Sequence, residues 1–128
     1  MVKVLVVDDH TGIRNALTRL IDNERPKLCS VGAAANGKEA LAMAIANQPD
    51  VILLDVVLGD EDGLALIAPL RRSAAVVVLT SLVDRRVAER ALRLGAVACV
   101  HKSAPAAELL ACIAHASANF TLPASAPP

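Results

Sequence analysis

Two kinds of hydrophobic pattern alternate along the chain. Residues 2–7, 29–34, 51–54, 75–79 and 97–100 are short runs dominated by Val, Ile, Leu and Ala, apolar almost without interruption. Such runs predict strands buried on both faces. Between them, apolar residues recur at helical spacing, as in Ile13, Leu17, Leu20 and Ile21, or Ala40, Leu41, Ala44 and Ile45. Helices are predicted over 11–22, from Asn36-Gly37 to 47, over 64–72, from Asp84 to 94, and from Pro105 to 118. Thr11 and Asp84 are placed as N-caps, Pro49 as the stop after the second helix and Gly95 as the end of the fourth. Pro105 is placed in the first turn of the last helix, where a missing N–H costs nothing. Gly59 to Gly63 reads as a loop.

The order is βα repeated five times. Strict alternation predicts an α/β fold, (βα)5 and doubly wound, with helices on both faces of a parallel sheet. The 128 residues make one domain, 1–119, followed by a Pro-rich tail or linker start, 120–128.

Composition narrows the function. Thirteen basic residues balance thirteen acidic ones, so the chain carries no electrostatic footprint for nucleic acid or an anionic membrane. DNA binding is therefore expected only from a domain outside these residues. One Phe and no Tyr or Trp leave no platform for base stacking. Cys29, Cys99 and Cys112 show neither a disulfide framework nor zinc-ligand spacing, and are expected as small buried thiols in a reducing, cytoplasmic setting. The first residues do not read as a signal peptide, and no apolar run is long enough for a membrane span.

In a parallel sheet the C-terminal ends of all strands share one edge, and ligands bind there where the strand order reverses. The first strand delivers Asp8 and Asp9 to that edge, the third Asp55, the fourth Thr80 and Ser81, the fifth Lys102. Two carboxylates about 4 Å apart repel by roughly 4 kcal/mol at an effective dielectric near 20. A hard divalent cation with oxygen ligands resolves the conflict, and magnesium fits, since it takes one or two carboxylates plus a phosphoryl oxygen. Lys102 and Thr80 are placed to hold the remaining phosphoryl oxygens.

With those residues in place, the chain from about residue 2 to 118 resembles the receiver domain of bacterial two-component response regulators. The resemblance is carried by Val-Asp8-Asp9-His10, by Leu-Leu-Asp55-Val-Val-Leu-Gly59-Asp-Glu-Asp-Gly63, by Val-Val-Leu-Thr80-Ser81 and by Val-His-Lys102-Ser. It implies a flavodoxin-like five-stranded sheet of order 2-1-3-4-5. It implies that Asp55 takes a phosphoryl group from a histidine kinase, with Mg2+ bound by Asp9, by Asp55 and by the Val57 backbone carbonyl, and by Asp8 mostly through water. It implies that Lys102 pairs with Asp55 and that Thr80 moves inward to report phosphorylation, Ser81 being a small neighbour of the phosphate. The wording around His10 and the last stretch, 108–123, look most like receivers that precede a LuxR-type helix-turn-helix output domain. Homodimerisation through the first and fifth helices, or through the fourth-helix face, is implied in the same way.

Four positions depart from the family pattern or stand out beside the site. Cys99 stands where an aromatic switch is common, Gly59 where a proline is common, and Val57 and Leu82 place no acceptor to orient a hydrolytic water. The loop at Gly59 is therefore expected to be floppy, and autodephosphorylation slow. His10, His101 and His115 lack mutual ligand spacing and are expected in non-ligand roles. Arg85, Arg86, Arg90 and Arg93 form a basic stripe that is either a solvated face or a partner contact. Two other functions compete with the switch. A magnesium phosphohydrolase would want an Asp-x-Asp signature rather than the adjacent Asp8-Asp9, and a cap domain. A stand-alone receiver or an inert interaction module needs no output domain.

Overall fold

The computed structural model describes residues 1–81 and 85–120. The elements in chain order are β1 (Val2–Val7), α1 (Thr11–Asp22), β2 (Leu28–Ala34), α2 (Gly37–Asn47), β3 (Val51–Leu54), β4 (Val57–Leu58), β5 (Glu61–Asp62), a 3-10 turn (Gly63–Leu66), α3 (Ile67–Leu70), β6 (Ala75–Thr80), α4 (Arg85–Leu94), β7 (Ala98–His101) and α5 (Ala106–Asn119). The main sheet has the order β2-β1-β3-β6-β7 and is parallel throughout. Setting aside the small β4–β5 hairpin, this is the 2-1-3-4-5 order that the resemblance implies.

The apolar runs become strands because both of their faces are covered. Every residue of β3 and β6 is buried. Side chains alternate between two cores. Val4 and Val6 join Leu53, Val77, Ile21 of α1, and Leu109, Ile113 and Ala116 of α5. Leu5 and Val7 join Ile52, Val76, Ala40 and Ala44 of α2, Ile67 and Leu70 of α3, and Ala91 of α4. Full burial of one such Leu, Ile or Val is worth about 1.5–3 kcal/mol.

Several boundaries differ from the sequence reading, each for a local reason. Thr11 does not cap α1. His10 holds the extended N-cap position without a side-chain bond, and Thr11 Oγ1 instead accepts from the Arg14 guanidinium at 3.1 Å. Asn36 does cap α2, accepting from the Glu39 amide at 2.9 Å, while Glu39 Oε1 accepts from the Ala35 amide at 2.8 Å. The predicted third helix is a 3-10 turn and a single α-turn, ending at Leu70. The fifth strand of the main sheet is shifted one residue later, to Ala98–His101. Pro105 is the N-cap of α5 in extended conformation rather than a first-turn residue. Asp84, Leu82 and the tail from 121 lie outside the described residues.

The Gly59 region is not an open loop. Val57 pairs with Asp62 and Leu58 with Glu61, and Gly59 takes φ +60° at the turn. Proline, fixed near φ −65°, cannot adopt that conformation, whereas glycine does so without strain. A two-strand hairpin follows Asp55 directly.

Candidate functional site

Strand register brings the site together. Val7 pairs with Leu54, so Asp8 and Asp55 are the next residues on neighbouring strands. The Asp55 amide donates to the Val7 carbonyl at 3.0 Å, and the Asp8 amide to that of Ala34 at 3.0 Å. β1 is flanked by β2 on one side and β3 on the other, so Asp8 and Asp55 sit where the winding reverses. On the far side Thr80 pairs with His101, and the Lys102 amide donates to the Thr80 carbonyl at 2.9 Å.

Asp8, Asp55 and Thr80 are the buried polar residues among those described, at 1%, 4% and 3% exposure. Two carboxylates removed from water need partners. Lys102 supplies the charge. Its Nζ donates to Asp55 Oδ2 at 2.8 Å and to Asp8 Oδ2 at 2.9 Å. Backbone amides hold the other oxygens: His10 N donates to Asp8 Oδ1 at 2.9 Å and Val57 N to Asp55 Oδ1 at 3.2 Å.

These contacts set protonation. Burial pushes the Asp8 carboxyl up, but the His10 amide and the Lys102 ammonium outweigh it, and the group lies below its ordinary value. Burial pulls Lys102 down, but hydrogen bonds and charge from Asp55 and Asp8 leave it above its ordinary value. The ion-paired state is the stable one at neutral pH.

Asp9 behaves differently. Its Oδ2 accepts from the Gly59 amide at 3.0 Å, while Oδ1 is buried without a hydrogen bond. The His10 ring stands against this acid. Its Nδ1 is 3.0 Å from Asp9 Oδ1, without the alignment of a hydrogen bond, and 3.2 Å from Asp8 Oδ1. One oxygen each from Asp8, Asp9 and Asp55 and a nitrogen of His10 lie within 4.8 Å of one another. Three carboxylates face one ammonium, leaving the cluster negative whether or not His10 is charged. An orphaned buried oxygen in a negative, oxygen-rich cluster fits a hard dication such as Mg2+. The presence of His10 in this group was not legible from spacing, because its neighbours are its own chain neighbours rather than other histidines.

The remaining predicted residues surround this centre. Ser81 is exposed and Val57 is 48% exposed, on the hairpin. Cys99 is half-buried beside the core under α4, and Cys112 is half-buried on the opposite face. Burial raises both thiols above their ordinary value, Glu108 adding to it at Cys112. Cys29 is buried as expected, but the other two line a surface cavity of about 640 Å3 beside β7 and α5, away from the acids. Arg85, Arg86, Arg90 and Arg93 are exposed on α4, and Arg90 reaches Asp62 of the hairpin at 3.9 Å. Among the described residues no helix is long and apolar enough to cross a membrane.

The site thus combines a doubly wound parallel sheet, acids at its switch point and a lysine on the next strand but one. Residues 4–114 match the response regulator receiver domain, and the chain belongs to that family. The transcriptional regulatory protein LiaR of Bacillus subtilis is 32% identical over 120 residues, covering 91% of this chain and 56% of LiaR. The chain thus spans about half the length of the curated relatives it matches. Among solved structures, a LuxR-family two-component response regulator from Aurantimonas sp. SI85-9A1 superposes with TM-score 0.84 at 28% identity, covering 96% of this chain and 89% of that one. A response regulator from Burkholderia pseudomallei, solved with a phosphorylated aspartic acid, a calcium ion and citrate, superposes with TM-score 0.79 at 31% identity, covering 92% and 69%.

Proposed function

We propose that this chain is a phosphorylation-controlled signalling switch in which Asp55 accepts a phosphoryl group from the phosphohistidine of a histidine kinase. The observation that carries the reading is the shared ammonium: Lys102 Nζ bonded at once to the buried Asp55 and Asp8 carboxylates. Receiver domains are phosphoacceptors rather than enzymes with a turnover substrate. The site residues are Asp8, Asp9, Asp55, Lys102 and Thr80, with the Val57 carbonyl.

A carboxylate oxygen of Asp55 forms the new O–P bond. The P–N bond to the donor imidazole breaks, and the imidazole keeps the electron pair and takes a proton. No base is required, because the nucleophile has no proton to lose. Lys102 already lies beside Asp55 and stabilises charge on the transferred group. Mg2+ would be held by Asp9, Asp55 and the Val57 carbonyl, with Asp8 mostly through water, and would supply a further positive centre for the phosphoryl oxygens. The adduct adds charge and acceptor oxygens at a buried edge, which Thr80 at the end of β6 is placed to sense. Ser81 borders the phosphate. Cys99 cannot act as a swinging ring, so the signal passes to the α4–β7–α5 face without that device.

That the chain spans about half the length of the transcriptional regulator LiaR, and superposes on a LuxR-family response regulator, supports a LuxR-type DNA-binding output domain outside these residues, with 1–119 the receiver and 120–128 the start of a linker, in a cytoplasmic regulator. Nucleic acid and membrane are not partners of these residues; a histidine kinase is, and a second copy is an output contact through α1 and α5 or the α4 face. Incubation with acetyl phosphate and Mg2+, read by intact mass, tests the switch. Wild type gains one phosphoryl mass and Asp55→Asn gains none. Failure of wild type to gain it supports an inert interaction module instead.

A further inference from the structure

The hairpin that follows Asp55 is fastened at two points. At its turn the Gly59 amide donates to Asp9 Oδ2 at 3.0 Å. On its returning strand Glu61 Oε1 accepts from the Gly37 amide, the first residue of α2, at 3.0 Å. The second contact is shaped for a carboxylate. A Cβ added to Gly37 would stand 2.5 Å from Glu61 Oε2 and 3.0 Å from Leu66 Cδ2, so the glycine leaves the space that Glu61 fills. A negative side chain at the start of an eleven-residue helix also suits the helix dipole.

The two contacts act in series on one acid. With Oδ2 occupied by the Gly59 amide, Asp9 keeps Oδ1 as its buried oxygen without a hydrogen bond, on the side it shares with Asp8 around His10 Nδ1. Which oxygen is left over depends on where the Gly59 amide stands. That depends on the hairpin, whose own pairing spans only Val57–Asp62 and Leu58–Glu61. A two-stranded ribbon that short is not stable alone. Its hold on the rest of the fold comes from Leu58, buried in the core, from the Gly59 amide on Asp9, from the Gly63 amide bonded to the Val56 carbonyl at 2.8 Å, and from Glu61 on Gly37 and Arg90 on Asp62, the last a long and exposed pair at 3.9 Å; Glu61 ties the returning strand to the start of α2.

We infer that Glu61 is a positioning residue for the cation site: by tying the β4–β5 hairpin to the start of α2, it holds the Gly59 amide on Asp9 and fixes the oxygen that Asp9 offers to Mg2+. This rests on the magnesium site proposed above. Glu61 does not touch the metal. Its effect is to pre-orient a ligand, and removing such partners of ligands costs roughly 10–100-fold in metal affinity. An exposed tether belongs at the low end of that range.

Isothermal titration of the intact chain with Mg2+ alone, without phosphodonor, tests the tether. Glu61→Ala is expected to weaken Mg2+ binding roughly 10-fold, at the lower bound for such partners. Glu61→Gln, which keeps an acceptor oxygen, should stay within about twofold, and Gly37→Ala, which drives the carboxylate off, should match Glu61→Ala. The double variant should be no weaker than either single one, because both break one contact. Melting temperatures of Glu61→Ala and Glu61→Gln should agree, which separates ligand positioning from general loosening. Unchanged Mg2+ affinity in Glu61→Ala, or additive losses in the double variant, overturns the inference while leaving the site itself standing. Failure of wild type to bind Mg2+ overturns the site and the inference together.

Discussion

Lys102 Nζ stands 2.8 Å from Asp55 Oδ2, joining strands whose sequence positions are 47 residues apart. The same ammonium holds Asp8, so its loss strands two buried carboxylates together. Breaking a fully buried pair costs about 3–5 kcal/mol. The Lys102 side chain is 18% exposed and water can enter, so Lys102→Ala is expected to lose about 2 kcal/mol in metal-free buffer by denaturant titration, keeping the fold. Adding Mg2+ should restore much of it. Loss of folding would make the lysine a structural residue first.

The sign of the pH dependence follows from the same triad. Lys102 is raised in the fold, so its contribution is full below its unfolded pKa and is lost as pH rises through the folded value. Asp8 is lowered, so its contribution is full above its unfolded pKa and is lost as pH falls through the folded value. Metal-free stability should be flat from about pH 5 to 8, between the ordinary carboxyl and thiol values. Lys102→Ala should reduce the alkaline decline and leave the part that the raised Cys99 and Cys112 thiols contribute.

Asp22 is an independent case, away from the cluster. Its Oδ1 accepts from the Ser30 amide and its Oδ2 from the Ser30 hydroxyl, both at 2.8 Å, and Arg25 lies at 3.3 Å. The Ser30 amide is the main cause of a carboxyl held below its ordinary value. Its stabilisation is therefore present above the unfolded pKa and disappears as pH falls through the folded one. Asp22→Asn should cost about 1 kcal/mol at pH 7 and nearly nothing at pH 2, measured by urea unfolding at both.

Gly63 sits under the phosphoacceptor's own backbone. A Cβ there would overlap the Asp55 carbonyl oxygen and stand 2.7 Å from Val56 Cα. Backbone cannot yield as a side-chain tip can. Gly63→Ala is expected to destabilise by about 3 kcal/mol or more, seen as a fall in melting temperature, and to reduce Mg2+ binding with it. A variant as stable as wild type would contradict the close approach.

Val57 is exposed beside Asp55 and carries no hydrogen-bonding side chain. A water attacking the phosphorylated Asp55 would find no acceptor there to orient it. The phosphorylated form should persist for minutes or longer, and Val57→Asn should shorten its lifetime. A wild-type half-life of seconds, followed by intact mass after desalting, would count against this account.

The sheet was legible because two-sided burial leaves nearly unbroken apolar runs such as Val51–Leu54 and Ala75–Thr80, and because residues ending parallel strands must share an edge. Placing Asp8, Asp9, Asp55 and Lys102 on that edge needed only the strand limits. What was hidden depends on contacts between distant or very short segments. The β4–β5 hairpin has two residues a side, too few for alternation to register, and its shape comes from Gly59 at φ +60° and the Gly59–Asp9 bond. Thr11 looked like a cap because the residue type is right, yet Asp8 Oδ1 engages the His10 amide and Arg14 takes the Thr11 hydroxyl. The His10 ring joined the acids for the same reason: its place is set by the turn after β1, which carries no periodicity.

The central claim is that Asp55 is the residue that becomes phosphorylated. Treating the acetyl phosphate-reacted chain with borohydride reduces an aspartyl phosphate to the corresponding alcohol, and peptide mass mapping then locates it. A single reduced residue is expected, at position 55, only when Mg2+ was present during phosphorylation. Reduction at another acid, or at none while the intact chain carries a phosphoryl group, would contradict it.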